Sequence, residues 1–136
     1  MPIEDDAAIR EILKSSKSIA VVGASPKPGR DSGTIADYLA RKGFNVIPVN
    51  PAYPEVFGMK CYPDLISIGV PVDIVDIFRR ADEVMPVVEE AIKVRAGTVW
   101  MQLDVVNEEA ARRAEEAGLN VVMDRCIAVE YRRLVQ

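Results

Sequence analysis

Residues 23–30 read Gly23-Ala24-Ser25-Pro26-Lys27-Pro28-Gly29-Arg30 and lie between an apolar run, Ile19 to Val22, and a stretch of helical spacing that opens at Asp31 or Ser32. A glycine at such a junction lets backbone N–H groups approach a pyrophosphate, and the helix that follows offers unpaired N–H groups and a partial positive charge. Ser25 and Ser32 add hydroxyl donors, and Lys27 and Arg30 add charge. The chemistry these residue types support is capture of a phosphorylated ligand. A plain strand-to-helix turn with solvated Lys and Arg is the competing reading of the same residues.

A second group follows the apolar run Asp73 to Phe78. Arg79 is expected to reach a phosphate through forked, charge-assisted hydrogen bonds, and Arg80 to pair with Asp82 or Glu83. Phe78 has two open readings, stacking on a planar base or filling the core. Asp73 and Asp76 alternate along the strand and read as acceptors for caps or loops, not as paired catalytic carboxylates. Cys126 follows the last apolar run and reads first as a small buried residue, since only Arg125 is nearby in sequence to activate a thiol. Asp124 and Arg125 read as a pair or as ties for the C-terminal segment, Glu130 with Arg132 or Arg133 as a surface set, and Trp100 as packing under the sheet edge. Cys61 is given no role.

What is missing narrows the chemistry further. There is no histidine in the chain, which removes the commonest general base and the commonest zinc ligand. No nucleophile, base and orienting group occur together, so neither a catalytic set nor a metal site is expected. The net charge of -4 opposes broad attachment to nucleic acid or anionic lipid, so an anion must be met by locally placed cations. No apolar run approaches the roughly 20 residues that span a bilayer, and the start of the chain is acidic where a signal peptide would be basic. The expectation is a cytoplasmic protein with reduced cysteines, no nucleic-acid or membrane partner, and room for a homodimer or a protein partner. With 136 residues, one domain over residues 1–136 is expected.

Five segments must position these groups: Ile19 to Val22, Asn45 to Val49, Asp73 to Phe78, Thr98 to Met101 and Asn120 to Met123. Each is a near-continuous apolar run, the pattern of strands buried on both faces of a parallel sheet. Helical stretches separate them. Asp31 or Ser32 caps one that runs to Arg41 and Lys42 and stops at Gly43. Ala81 to Arg95 forms another, with Pro86 in its first turn and Gly97 as its stop, and Asn107 caps Glu108 to Ala117. Asp5 or Asp6 opens an N-terminal helix, and Ile127, Tyr131 and Leu134 mark a C-terminal one. Asn50 to Pro63 is the one long loop, with a short extra strand near Met59. The alternation predicts a Rossmann-like, doubly wound α/β fold with a mostly parallel five-stranded sheet, order 3-2-1-4-5, helices on both faces and the ligand crevice between strands 1 and 4.

The loop is neither of two familiar phosphate loops. The spacing from Gly23 to Gly29 is not GxGxxG, and Asn50-Pro51 stands where a NAD-binding protein usually carries an acidic residue for the ribose. The GK[ST] ending of a Walker A loop is absent as well.

Over roughly residues 12 to 134 the sequence resembles the small, stand-alone CoA-binding proteins related to the N-terminal nucleotide-binding domain of the succinyl-CoA synthetase alpha subunit. The matching elements are Val21-Val22-Gly23-Ala24-Ser25 with the following Pro and Lys, Val49-Asn50-Pro51, Gly58 through Cys61-Tyr62-Pro63, Asp73 to Arg79, Trp100-Met101-Gln102, and Asp124-Arg125-Cys126 with Glu130. The resemblance implies that Gly23, Ala24 and Ser25 face the diphosphate, that Asn50 and Pro51 line the adenosine side, that Phe78 and Arg79 border the nucleotide, and that Gln102 faces the crevice. Only the resemblance identifies the ligand, as coenzyme A or acyl-CoA. The implied activity is non-covalent binding without catalysis by this chain alone, and the CoA thiol arm could then reach Cys126. The alternatives are a NAD(P)-binding oxidoreductase-type domain and a CoA-ligase or transferase component acting with a partner.

Overall fold

The apolar runs of the sequence pair as parallel strands, and the computed structural model describes residues 1–136. In chain order the elements are α1 (Asp6–Ser15), β1 (Ser18–Val22), α2 (Asp31–Arg41), β2 (Asn45–Val49), β3 (Glu55–Val56), β4 (Met59–Lys60), β5 (Ile74–Ile77), α3 (Val84–Lys93), β6 (Thr98–Met101), α4 (Glu108–Glu116), β7 (Asn120–Val122) and α5 (Ile127–Leu134). Short 3-10 turns at Ile66–Ile68 and Ala81–Glu83 precede β5 and α3. β3 and β4 form a small antiparallel hairpin within the Asn50 to Pro63 loop.

Alternation along the strands divides the apolar residues between two cores. Ala20, Val75, Ile77, Val99, Met101 and Val121 pack on one face with Val84, Val88, Ala91, Ala110 and Ala114 of α3 and α4. Ile19, Val21, Ile74, Trp100 and Val122 pack on the other with Ile9, Leu13, Ala36, Leu39 and Ile127 of α1, α2 and α5. This is a Rossmann-like, doubly wound sheet with helices on both faces.

Local chemistry sets the helix ends. Asp5 caps α1 by accepting from Ala8 N (3.0 Å), and Asn107 caps α4 by accepting from Ala110 N (2.9 Å). The stretch from Ala81 is a 3-10 turn followed by α3, with Pro86 in the first turn of α3, where its missing N–H costs nothing. α3 stops at Lys93, and the left-handed residue beyond it is Arg95 (φ 60°), so Gly97 is not the stop.

The strand order departs from the expected 3-2-1-4-5. The sheet runs β2-β1-β5-β6-β7, so the run Asp73 to Phe78 lies beside β1 and not outside β2. Two sets of bonds explain this. Tyr62 takes the outer edge of β2 as a single parallel bridge, donating to Pro48 O (3.0 Å) and accepting from Asn50 N (2.9 Å). Asp73 then receives the backbone N–H groups of Lys17 and Ser18 (2.7 and 3.1 Å), which anchors the start of β5 to the start of β1. The winding therefore reverses between β1 and β5, and the crevice beyond the strand ends lies there, not between β1 and β6.

Candidate functional site

The loop after β1 is a chain of short internal ties. Gly23 leaves the strand with φ 91°, its N–H bonded to Val49 O (2.8 Å). A Cβ at this position would lie 2.2 Å from Phe78 O, so only glycine lets β1 and β5 close together here. Ser25 N donates to Ser32 Oγ (3.1 Å), and Ser25 Oγ accepts from Lys27 N (3.1 Å). Both serine oxygens accept from loop amides and so hold the loop's shape, while each hydroxyl hydrogen remains available as a donor. Gly33 lets the helix start press against the loop, since a Cβ there would meet Ser25 O at 2.2 Å and Phe57 Cε2 at 2.4 Å.

The start of α2 differs from the starts of α1 and α4. Its N-cap is Arg30, whose side chain makes no capping bond, so the first-turn amides lack the acceptor that Asp5 and Asn107 provide elsewhere. Asp31 stands in this first turn, and the amides beside it remain open to an external anion.

Two adjoining hollows meet at Gly23, Arg30, Phe78 and Arg79. One, of about 490 Å³, is also lined by Ser25, Lys27, Asn50, Tyr53, Arg80 and Glu83, among others. Four cations face it against one carboxylate, a local reversal of the chain's net negative charge. The second, of about 540 Å³, is reached past Ser32, Ile35, Gln102, Leu103, Cys126 and Val129. One end of the crevice suits phosphates, and the other is mixed and more apolar.

Most sequence-derived candidates meet in this crevice: Gly23, Ser25, Lys27, Arg30, Asn50, Phe78 and Arg79 around the first hollow, Ser32 and Gln102 around the second. Two do not line it. The Ala24 side chain is fully buried in the core, and Pro51 lines a third hollow, with Cys61 and Pro63, that adjoins the first at Asn50, Ala52 and Tyr53. Asn50 is bound at both ends, donating through Nδ2 to Ala24 O (2.9 Å) and accepting at Oδ1 from Ala52 N (2.9 Å). Its amide ties the β2 end to the loop. Gln102 is likewise committed, its Oε1 accepting from Ile127 N (3.1 Å) at the start of α5. Phe78 packs against the core and also lines both hollows. Arg80 pairs with Asp82 and Glu83 at 3.5 Å each, while Arg79 has no carboxylate partner.

Tyr53, Ala52 and Gly33 were not singled out from sequence. The signal for Tyr53 is the Asx turn: Asn50 accepting from Ala52 N folds the chain so that residue 53 meets the crevice.

Four polar residues depart from their sequence readings. Asp76 makes no hydrogen bond although both its oxygens are buried, and burial pushes its carboxyl well above the ordinary range. Glu130 pairs with Arg133 as expected, but it is buried, not superficial, and holds Arg125 as well. Asp124 accepts from Asp104 N (2.7 Å) instead of pairing with Arg125. Trp100 lies in the interior of the sheet, with Nε1 donating to Arg125 O (2.8 Å).

The sequence matches the family described as CoA binding domain over residues 17–132. The chain belongs to that family. It is 42% identical over 125 residues to the uncharacterized protein YneT of Bacillus subtilis, covering 92% of this chain and 93% of that protein. It is 32% identical over 129 residues to acetate–CoA ligase [ADP-forming] I of Archaeoglobus fulgidus, covering 88% of this chain but only 19% of the ligase. Among solved structures, a hypothetical protein from Pyrococcus horikoshii superposes with a TM-score of 0.95 at 46% identity, covering 100% of this chain and 97% of that one. A dinucleotide-forming acetyl-coenzyme A synthetase 1 of Candidatus Korarchaeum cryptofilum gives 0.75 at 31% identity, covering 84% of this chain and 27% of that one. The family is thus represented by small proteins of this length and by a part of much larger CoA ligases.

Proposed function

We propose that this protein, as a single domain over residues 1–136, binds coenzyme A or acyl-CoA non-covalently in the crevice between β1 and β5, in the cytoplasm and without a catalytic step of its own. The observation that carries the reading is that Lys27, Arg30 and Arg79 line one hollow, with the ion-paired Arg80 beside them, and that Arg30 and Arg79 also line the adjoining hollow bordered by the uncapped first turn of α2. Family membership supplies the ligand that such a phosphate site would serve. Arg79, which has no carboxylate partner, takes a phosphate of the 3′-phospho-ADP moiety. The first-turn amides of α2 with Lys27 and Arg30 take the diphosphate, and Phe78 with Tyr53 borders the base. Asn50 acts by holding the loop, since its amide is engaged at both ends, while Ser25 and Ser32 accept internal bonds at their oxygens and keep their O–H groups to donate to a phosphate. NAD is disfavoured, because Asn50 at the end of β2 presents no carboxylate to a ribose and its amide is engaged at both ends.

The likeness to the CoA-binding part of ADP-forming ligases supports a second reading of the same site, in which the bound cofactor is presented to a partner protein. Isothermal titration with CoA, acetyl-CoA, NAD and ATP tests the proposal. CoA or acetyl-CoA is expected to bind tightest, and tighter binding of NAD would overturn it.

A further inference from the structure

Three of the chain's large exposed apolar side chains gather where the crevice runs out past α5: Leu103 (59% exposed), Val129 (46%) and Val106 (44%). Leu103, Cys126 and Val129 line both the second hollow and a further one of about 570 Å³. Val106 and Met123 belong to that outer hollow, so an apolar track continues from the phosphate end of the crevice to the surface.

The backbone presenting this track is held, not slack. Asp104 and Asp124 both stand in the left-handed region (φ 70° and 63°), and Asp104 N donates to Asp124 Oδ1 at 2.7 Å, tying the loop after β6 to the loop after β7. Val105 N donates to Gln102 O (2.8 Å), and Gln102 in turn receives the first amide of α5. Leu103 and Val129 are therefore fixed in exposure by a braced frame. Exposed apolar groups in such a frame mark a binding surface.

The charges around the outer hollow select the occupant. Glu4, Glu108 and Asp124 line it, while its cations are spoken for: Arg125 pairs with the buried Glu130 at 3.5 Å and the Met1 ammonium with Glu115 at 2.8 Å. An acidic rim of this kind repels a carboxylate-ended group and accepts an uncharged chain.

Resting on the proposal that the phosphate end holds CoA, we infer that this track seats the acyl chain of an uncharged acyl-CoA thioester of medium length, and that the protein prefers such a thioester both to free CoA and to dicarboxylic acyl-CoA. Binding buries methylene groups against Leu103, Val106 and Val129, and no bond is made or broken.

Titration calorimetry of the full chain with CoA, octanoyl-CoA and succinyl-CoA tests this. Octanoyl-CoA is expected to bind about tenfold or more tightly than CoA, and succinyl-CoA no more tightly than CoA. In Val106→Asp the octanoyl-to-CoA affinity ratio is expected to fall to about one. Leu103→Ser gives the same readout by a milder change if the first variant does not fold. CoA binding with no octanoyl advantage, an equal gain for succinyl-CoA, or a ratio unchanged in the variants would each overturn the inference while leaving the CoA site intact. Failure of all three ligands to bind would remove the underlying proposal and this one with it.

Discussion

The carboxyl of Asp76 offers a prediction that the absence of histidine makes unusually clean. Asp76 lies in the middle of β5, paired in register with Val21 and Trp100, fully buried, with neither oxygen hydrogen-bonded. Burial disfavours the charged form, so its pKa in the folded protein is raised, whereas in the unfolded chain it is near the ordinary ~3.9. Between those two values the folded state holds one proton more than the unfolded state, so stability is greatest at low pH and falls as pH rises towards the folded-state pKa. The slope is about 1.4 kcal/mol per pH unit while Asp76 remains protonated in the fold. Asp6, Asp64 and Asp73 act with the opposite sign. Hydrogen bonds hold their carboxyls below the usual range, so their stabilisation is present above about pH 4 and is lost as pH falls through their folded values. With no histidine in the chain, the window from about pH 5.5 to 7 contains no other side chain with an ordinary pKa inside it. Urea unfolding followed by circular dichroism should therefore show wild-type stability falling as pH rises above about 4, by about 1.4 kcal/mol per unit until Asp76 ionises. Asp76→Asn should be flat. Its absolute stability will be lower or similar, because a buried amide also lacks partners, so the slope is the quantity to read. A wild-type profile with the same pH dependence as the variant's would refute the claim that this carboxyl is buried and unpaired.

Further consequences concern the crevice and its frame. Arg79→Ala should weaken CoA binding by about 1 to 3 kcal/mol, and titration calorimetry showing no weakening would clear Arg79 of the role proposed for it. Gly33→Ala should destabilise the protein by about 1 to 3 kcal/mol, because the added methyl meets a backbone carbonyl at 2.2 Å; an unchanged thermal transition would show that the helix start is not pressed against the loop. Asn107→Ala should cost about 0.5 to 2 kcal/mol through loss of the α4 cap, with denaturant unfolding as the check.

Several features governed by short-range chemistry were legible in the sequence, although the α2 cap expected at Asp31 or Ser32 is Arg30, without a side-chain bond. The Asp5 and Asn107 caps, the glycine at the β1 exit and the five apolar strands each follow from a few neighbouring residues. The position of β5 was not, because it depends on where the Asn50 to Pro63 loop travels. That route is set by Tyr62 pairing with β2 and by Asp73 reaching back to Lys17 and Ser18, partners far away in sequence. Asp73 and Asp76 illustrate the same limit. Both are aspartates on one strand with similar apolar neighbours, yet one is satisfied by two backbone amides and the other by none. In the crevice, the cations were readable from type and position. That Ser25, Ser32 and Asn50 would bond the backbone at Lys27, Ser25, Ala24 and Ala52 was not, since those bonds exist only once the loop has closed.

The most direct measurement is titration of CoA into 15N-labelled protein while the backbone amide resonances are followed. Saturable shifts concentrated at Gly29, Ser32, Gly33 and Arg79 are expected, reporting a phosphate received at the α2 start beside its cations. Saturable binding that leaves these amides unmoved and shifts residues remote from the β1 and β5 ends would contradict the account.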